Sequence, residues 1–219
     1  NMSRVTIIIS GGAIEDDFAL SVLESYESKR IIGVDKGVEF LYRHQILPEY
    51  IVGDFDSISE EVIRYYREET KVPIREYNPV KDASDTEIAI RTALALGCDQ
   101  MIILGATGSR IDHIWANVQS LEIARKAGVH AEIRDTCNRI RLCDGEVRLK
   151  RREAFGKYFS LFPFGGEVEN LTLVGAKYPL DHHHLLPNDS LCVSNEIEED
   201  ELVITFSSGT LILMETKDE

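Results

Sequence analysis

The sequence predicts an α/β N-terminal domain with a mainly parallel sheet, followed by an all-β sandwich C-terminal domain. Three observations carry this. Strand-like apolar runs alternate with helix-patterned segments up to about residue 135, the order expected of parallel βα units. The first of these runs, Arg4 to Ser10, is β-branched and apolar rather than alternating, as a strand buried on both faces requires. From Asn138 onward only short runs remain, separated by turns such as Asp144-Gly145, Gly165-Gly166 and Ser208-Gly209, and no helical period is left. The boundary is set at residues 1–136 and 137–219.

Taken in order, Arg4–Ser10 ends in Gly11-Gly12 and is followed by helical spacing over Phe18–Tyr26. Arg30–Val34 is a second buried strand ending at Asp35, and Val38, Phe40 and Leu41 suit a short helix stopping before Pro48. Tyr50–Val52 is a third strand, running into Gly53-Asp54-Phe55-Asp56-Ser57 and a helix through about Glu69. Pro73–Tyr77 is a weaker strand. Ser84-x-x-Glu87 is a capping box that puts Asp85 in the first turn of a helix. Met101–Leu104 is the clearest strand; a glycine turn and a helix with Ile111, Ile114, Val118 and Leu121 on one face come next, then Ala131–Arg134. The C-terminal strands are expected at Ile140–Cys143, Glu146–Lys150, Tyr158–Pro163, Val168–Val174, Leu191–Val193, Leu202–Phe206 and Thr210–Met214.

Composition narrows the function classes. At 219 residues, 43% hydrophobic and 28% charged, the chain has the makeup of a globular protein with a real core. The net charge of −14 argues against a general nucleic-acid binder, which needs a basic face. No apolar run approaches the roughly 20 residues of a membrane span, and no N-terminal signal is evident. Met2 reads as the natural start, with Asn1 an addition. Cys98, Cys137, Cys143 and Cys192 include no C-x-x-C pair and read as buried or partly buried thiols in a reducing compartment, so the expected location is cytoplasmic.

The acids of the first domain fall at matching places. Asp35 follows the second strand, Asp54 and Asp56 the third, Asp82 and Asp85 precede a helix, and Asp112 lies past the glycine turn after Met101–Leu104. An extended Asp54-Phe55-Asp56 would send both carboxylates to one side and Phe55 to the other as an anchor. Ser57-x-x-Glu60 also fits a capping box, and Ser57 can cap the helix while the aspartates face the crevice at the strand ends. Gly11-Gly12 and Thr107-Gly108-Ser109 allow close backbone approach to an anion, and Lys36, Lys81 and Arg110 supply positive charge. Neither turn is a P-loop or a dinucleotide fingerprint. Like charges about 4 Å apart interact by roughly 4 kcal/mol at an effective dielectric near 20. Acids facing a polyphosphate therefore require a divalent cation between them, and magnesium suits a few carboxylates plus phosphate oxygens.

Three motifs together, Gly53-Asp54-Phe55-Asp56-Ser57, Asp82-Ala83-Ser84-Asp85-Thr86-Glu87 and Gly105-Ala106-Thr107-Gly108-Ser109-Arg110-Ile111-Asp112-His113, resemble those of bacterial-type thiamine pyrophosphokinases. Gly156-Lys157-Tyr158, Leu173 to Pro179 and Ser194-Asn195-Glu196 extend the resemblance across nearly the whole chain. It implies transfer of a diphosphate group from ATP to the hydroxyl of thiamine, releasing AMP, in a homodimer whose thiamine cleft lies between subunits. Carried over, Asp35, Asp54, Asp56, Asp85 and Asp112 form the metal and diphosphate site, with Mg²⁺ on Asp54, Asp56 and Asp85. Gly11, Asp35, Lys36, Lys81, Asp82, Thr107, Gly108, Ser109 and Arg110 take the nucleotide, and Ser194 and Asn195 help hold thiamine in the dimerising C-terminal domain. Ser84 stands where Thr is usual, Lys36 at a commonly glycine position, and Ile197 in place of a common Phe.

Other features read more plainly. His182-His183-His184 is expected to be a solvated loop between Pro179 and Pro187, since consecutive extended histidines point to alternate sides. Trp115 is expected to pack in the core or at an interface, and Lys150-Arg151-Arg152 to form a solvated turn. The competing functions are a metal-dependent phosphohydrolase and a nucleotide-binding regulatory module.

Overall fold

The computed structural model describes residues 4–78, 80 and 83–219. The chain divides into two compact units, Asn1–Asp135 and Thr136–Glu219. Among the described residues no helix is long and apolar enough to cross a membrane.

The first unit is built on strands β1 (Val5–Ile9), β2 (Arg30–Val34), β3 (Tyr50–Gly53), β4 (Ile74–Glu76), β5 (Gln100–Leu104) and β6 (His130–Arg134). Every pairing among them is parallel, in the order β4-β3-β2-β1-β5-β6. Helices α1 (Asp16–Glu24), α2 (Gly37–Arg43), α3 (Glu60–Glu69), α4 (Asp85–Leu96) and α5 (Ile111–Lys126) make the connections. All five residues of β1 are buried, which explains its unbroken apolar composition: helices cover both faces. Val5, Ile7 and Ile9 pack with Ala19, Val22 and Leu23 of α1 and Phe40 and Leu41 of α2, while α4 packs against β1, β2, β3 and α5. Ile7, Ile8 and Ile9 are 0% exposed, each contributing about 1.5–3 kcal/mol of burial.

Some expectations for this unit are corrected. Helix α3 begins at Glu60 with Ser59, not Ser57, at the N-cap, and the Ser59 amide is met by Glu39 Oε1 at 3.0 Å. The Ser59 side chain makes no cap bond, and the charged side chain from α2 instead fixes the residue at which the helix starts. Ile111 is 77% exposed and Trp115 51%, so the buried face of α5 starts lower, at Val118 and Leu121.

The second unit is antiparallel throughout. It contains β7 (Asn138–Cys143), β8 (Val147–Lys150), β9 (Tyr158–Val174), β10 (Leu180–Leu185), β11 (Glu201–Thr205) and β12 (Ser208–Thr216). The expected strands Tyr158–Pro163 and Val168–Val174 are one 17-residue strand. Its first half pairs with β12 and its second with β10 and β11. Gly165, at φ +70°, lets the strand change direction between partners instead of reversing. Phe159, Leu161, Val168, Leu171 and Leu173 of β9 share a core with Leu202, Ile204, Leu211 and Leu213.

Leu191–Val193 is a turn rather than a strand, pinned by Asp189 Oδ1 accepting from the Leu191 amide at 2.8 Å. His182–His184 lie in β10 rather than in a loop. Each histidine has its own carboxylate, Asp181, Asp189 and Glu167 in turn. Arg151–Glu153 forms an exposed 3₁₀ turn after β8. Cys98, Cys143 and Cys192 are buried free thiols, and Cys137 is partly buried.

Candidate active site

The strand order reverses at β1, with β2, β3 and β4 on one side and β5 and β6 on the other. Ligands of open α/β sheets bind beyond the carboxyl ends of the strands at such a point. A cavity of about 580 Å³ lies there, lined by Ser10–Ala13 past β1, Asp35 and Lys36 past β2, Ser84–Thr86 at α4, Gly105–Arg110 past β5, and His113, Ala116 and Asn117 of α5.

The two glycine turns form its floor and are bonded to each other. The Gly12 amide donates to Gly105 O at 2.6 Å and the Ala13 amide to Thr107 O at 2.8 Å. A β-carbon on Gly12 would lie 2.3 Å from Thr107 O, so only glycine lets the turns approach this closely. Two further side chains brace the second turn: Thr107 Oγ1 donates to Asp135 Oδ2 at 2.7 Å, and Asn117 Nδ2 to Ala106 O at 2.8 Å.

Asp35 is 8% exposed. Its Oδ1 accepts the amides of Asp54 at 3.0 Å and Phe55 at 3.5 Å, and its Oδ2 the Tyr77 hydroxyl at 3.1 Å. Burial, then the charges of Asp54 and Asp85, push its carboxyl up to about 6, against the opposing pull of the Tyr77 and Phe55 bonds. Asp85, half-buried in the first turn of α4, lines the cavity, and the expected cap is present: Ser84 Oγ accepts from the Glu87 amide at 3.2 Å.

The Asp-Phe-Asp segment is not extended. Phe55 has φ +63°, and Asp54 Oδ1 accepts the Asp56 amide at 3.2 Å. A local turn with this bond replaces the side-to-side alternation of a strand. Asp54 is half-buried near Asp35, whereas Asp56 is exposed and, like Asp54, stands outside the cavity lining. Phe55 does anchor the turn, packing with the cluster of Val38, Ile51, Val62 and Tyr66 and carrying Arg67 Cζ 5.6 Å above its ring.

Arg110 lines the cavity and is held by Asp112 through two contacts, Nε to Oδ1 at 3.2 Å and Nη2 to Oδ2 at 2.6 Å. The Arg110 bonds keep the exposed Asp112 carboxyl below its ordinary range. Lys36 is exposed at the cavity edge. Lys81 and Asp82 lie outside the described residues.

The carboxylates fit a divalent cation by their chemistry: the charges of Asp54 and Asp85 oppose the ionisation of buried Asp35, and a cation relieves that opposition. Among the described residues no three His, Cys, Asp or Glu side chains already close on one point. An ion there would draw on phosphate oxygens and water as well.

In the second unit, Ser194 is exposed at φ +60°. Asn195 is 3% exposed and its side-chain amide makes three hydrogen bonds. Nδ2 donates to Tyr178 O at 2.9 Å, and Oδ1 accepts from the amides of Tyr178 at 3.0 Å and Glu196 at 2.9 Å. Asn195 thus holds the Tyr178 segment. Tyr178 is 58% exposed, with Lys177 Nζ 5.6 Å from its ring centroid, so its ring face accepts a cation.

Sequence reasoning did not single out Tyr77, Asn117, Asp135 or Tyr178 as site residues. Tyr77 ends a weak strand and Asn117 sits mid-helix, and neither carries a local signal. Tyr178 lies within the Leu173 to Pro179 stretch and is distinguished only by its exposure.

Comparisons with known proteins agree with this geometry. Residues 23–133 match the family model for the thiamin pyrophosphokinase catalytic domain, and residues 145–211 that for the thiamin pyrophosphokinase vitamin B1 binding domain. The chain is 36% identical to the thiamine pyrophosphokinase of Bacillus subtilis over 189 residues, 85% of this chain and 87% of the relative. A crystal structure of thiamine pyrophosphokinase from Bacillus subtilis superposes with TM-score 0.86 at 31% identity, covering 99% of this chain and all of the other. One from Geobacillus thermodenitrificans gives TM-score 0.84 at 29% identity over 99% and 98% of the two chains.

Proposed function

From the premise that the chain belongs to the thiamine pyrophosphokinase family, we propose that it transfers the diphosphate of ATP to the hydroxyl of thiamine, releasing AMP. The observation that carries this is the pair of bonded glycine turns facing Asp35 and Asp85 across one cavity.

The backbone of Gly11, Thr107, Gly108 and Ser109 receives the phosphates, with Lys36 and Arg110 as their cationic partners. Asp112 acts by orienting Arg110. Lys81 and Asp82 complete the nucleotide site in this reading. Asp54, Asp56 and Asp85 would hold Mg²⁺, which when bound would supply neutralisation of the phosphate charge for attack on the β-phosphorus. Asp35 organises the turn that presents Asp54. The chain's own contribution is positioning and charge compensation rather than covalent chemistry.

Thiamine is held by Ser194 and by the ring of Tyr178, which supplies the aromatic contact that Ile197 lacks. Asn195 keeps Tyr178 in place instead of touching the substrate. The active unit is a homodimer with the thiamine cleft at the subunit interface, and exposed Ile111 and Trp115, one turn apart on α5, suit such a contact. The buried free thiols of Cys98, Cys143 and Cys192 support a cytoplasmic location.

Incubating the protein with Mg-ATP and thiamine tests the reading. AMP should appear only when thiamine is present. ATP consumption at the same rate without thiamine would identify a phosphohydrolase, and tight ATP binding without turnover a regulatory module.

A further inference from the structure

The geometry points to Tyr77 as a positioning residue for the aspartate turn, a role that rests on the reading of Asp54 as a ligand of the ATP-bound cation. Tyr77 follows β4, and its amide donates to Gly53 O at 3.0 Å, which places it beside the last residue of β3. Its hydroxyl donates to Asp35 Oδ2 at 3.1 Å. The opposite oxygen of the same carboxylate gathers the amides of Asp54 and Phe55.

The turn needs such support. Phe55 and Asp35 sit at φ +63° and +47°, backbone conformations that non-glycine residues adopt at a cost and keep only where surrounding bonds enforce them. The torsion that sets a carboxylate plane is broad, so amide bonds to Oδ1 alone leave that plane loosely defined. The Tyr77 bond to Oδ2 removes the freedom. The fixed plane sets the Asp54 amide, and Asp54 in turn is closed by the Asp56 amide on its own Oδ1 at 3.2 Å. Tyr77 is not among the residues lining the cavity, so it acts through Asp35 rather than on the substrate.

The variant Tyr77→Phe removes one hydroxyl and keeps the ring. In the metal-free protein, hydrogen exchange at the Asp54 and Phe55 amides should rise about tenfold while core amides of β1 are unchanged. With Mg-ATP and thiamine, kcat should fall about tenfold and the Mg²⁺ concentration for half-maximal rate should rise, with the KM for thiamine unaltered. Wild-type exchange at both amides overturns the proposal, as does an effect confined to the KM for thiamine. A variant that fails to fold also overturns it, since Tyr77 would then sustain the whole unit. The exchange measurement needs neither metal nor turnover. Absence of thiamine-dependent AMP release by the wild-type protein would therefore defeat the functional reading while leaving the Tyr77 result to stand or fall alone.

Discussion

Asp35 lies directly against the backbone of Gly53: a β-carbon on Gly53 would sit 2.2 Å from Asp35 Oδ1 and 2.9 Å from the Phe55 ring. The glycine that opens the aspartate turn is thus required by a carboxylate arriving from the neighbouring strand. Neither partner can move cheaply, because Asp35 is bonded to three donors and Phe55 is packed.

Gly53→Ala should accordingly destabilise the first unit by about 1–3 kcal/mol, the usual cost of overpacking. It should also reduce kcat, because the turn carrying Asp54 shifts. Denaturant unfolding and steady-state kinetics on one preparation check both effects. Wild-type stability would mean that Asp35 does not occupy this position.

The raised carboxyl of Asp35 makes a signed prediction about pH. Its value in the fold, about 6, lies above the ordinary 3.8, so the protonated form is favoured by folding. That contribution is fully present below about pH 4 and is lost as pH rises through about 6, an effect of at most about 3 kcal/mol, reduced by solvent screening. Relative to Asp35→Asn, which cannot ionise, the metal-free wild type should lose stability between about pH 4 and pH 7. Parallel melting curves across that range would refute the upward shift that burial and the charges of Asp54 and Asp85 impose on Asp35.

Much of the first unit was legible from its residues. The apolar runs at Ile7–Ile9 and Ile102–Leu104 and the glycine turns after them specify buried parallel strands, and Ser84-x-x-Glu87 marks its helix because capping is a local interaction. The hidden parts depend on residues distant in sequence. Glu39 of α2, not Ser57, meets the start of α3. Tyr77 reaches Asp35 across 42 positions. Asn195 bonds the Tyr178 backbone from 17 positions away. Gly165-Gly166 resembles a reversal in sequence, and only the pairing partners of β9 make it a bend.

Asn117 offers a test of the second glycine turn. Its amide bond to Ala106 O at 2.8 Å holds a turn that should receive phosphate. Asn117→Ala should raise the KM for ATP about fivefold to tenfold, leave that for thiamine alone, and lower stability by about 1 kcal/mol. An equal rise in both KM values would argue that the turn does not contact the nucleotide.

Asp54 and Asp112 should differ sharply. Asp54→Asn removes a proposed ligand of the ion and should lower kcat by about two orders of magnitude without unfolding the protein. Asp112 is exposed and bound to Arg110, so Asp112→Asn should change mainly the KM for ATP, by about threefold to tenfold. Kinetics of the two variants at saturating Mg²⁺ decide the point, and a reversed ranking would remove Asp54 from the metal site.

The account as a whole meets its most direct test in the products of a single reaction followed by phosphorus NMR with Mg-ATP and thiamine. Intact diphosphate should appear on thiamine in equal amount with AMP, and Asp54→Asn should slow both signals together by about two orders of magnitude. Formation of ADP, or of free phosphate at a rate indifferent to thiamine, would contradict diphosphate transfer at this site.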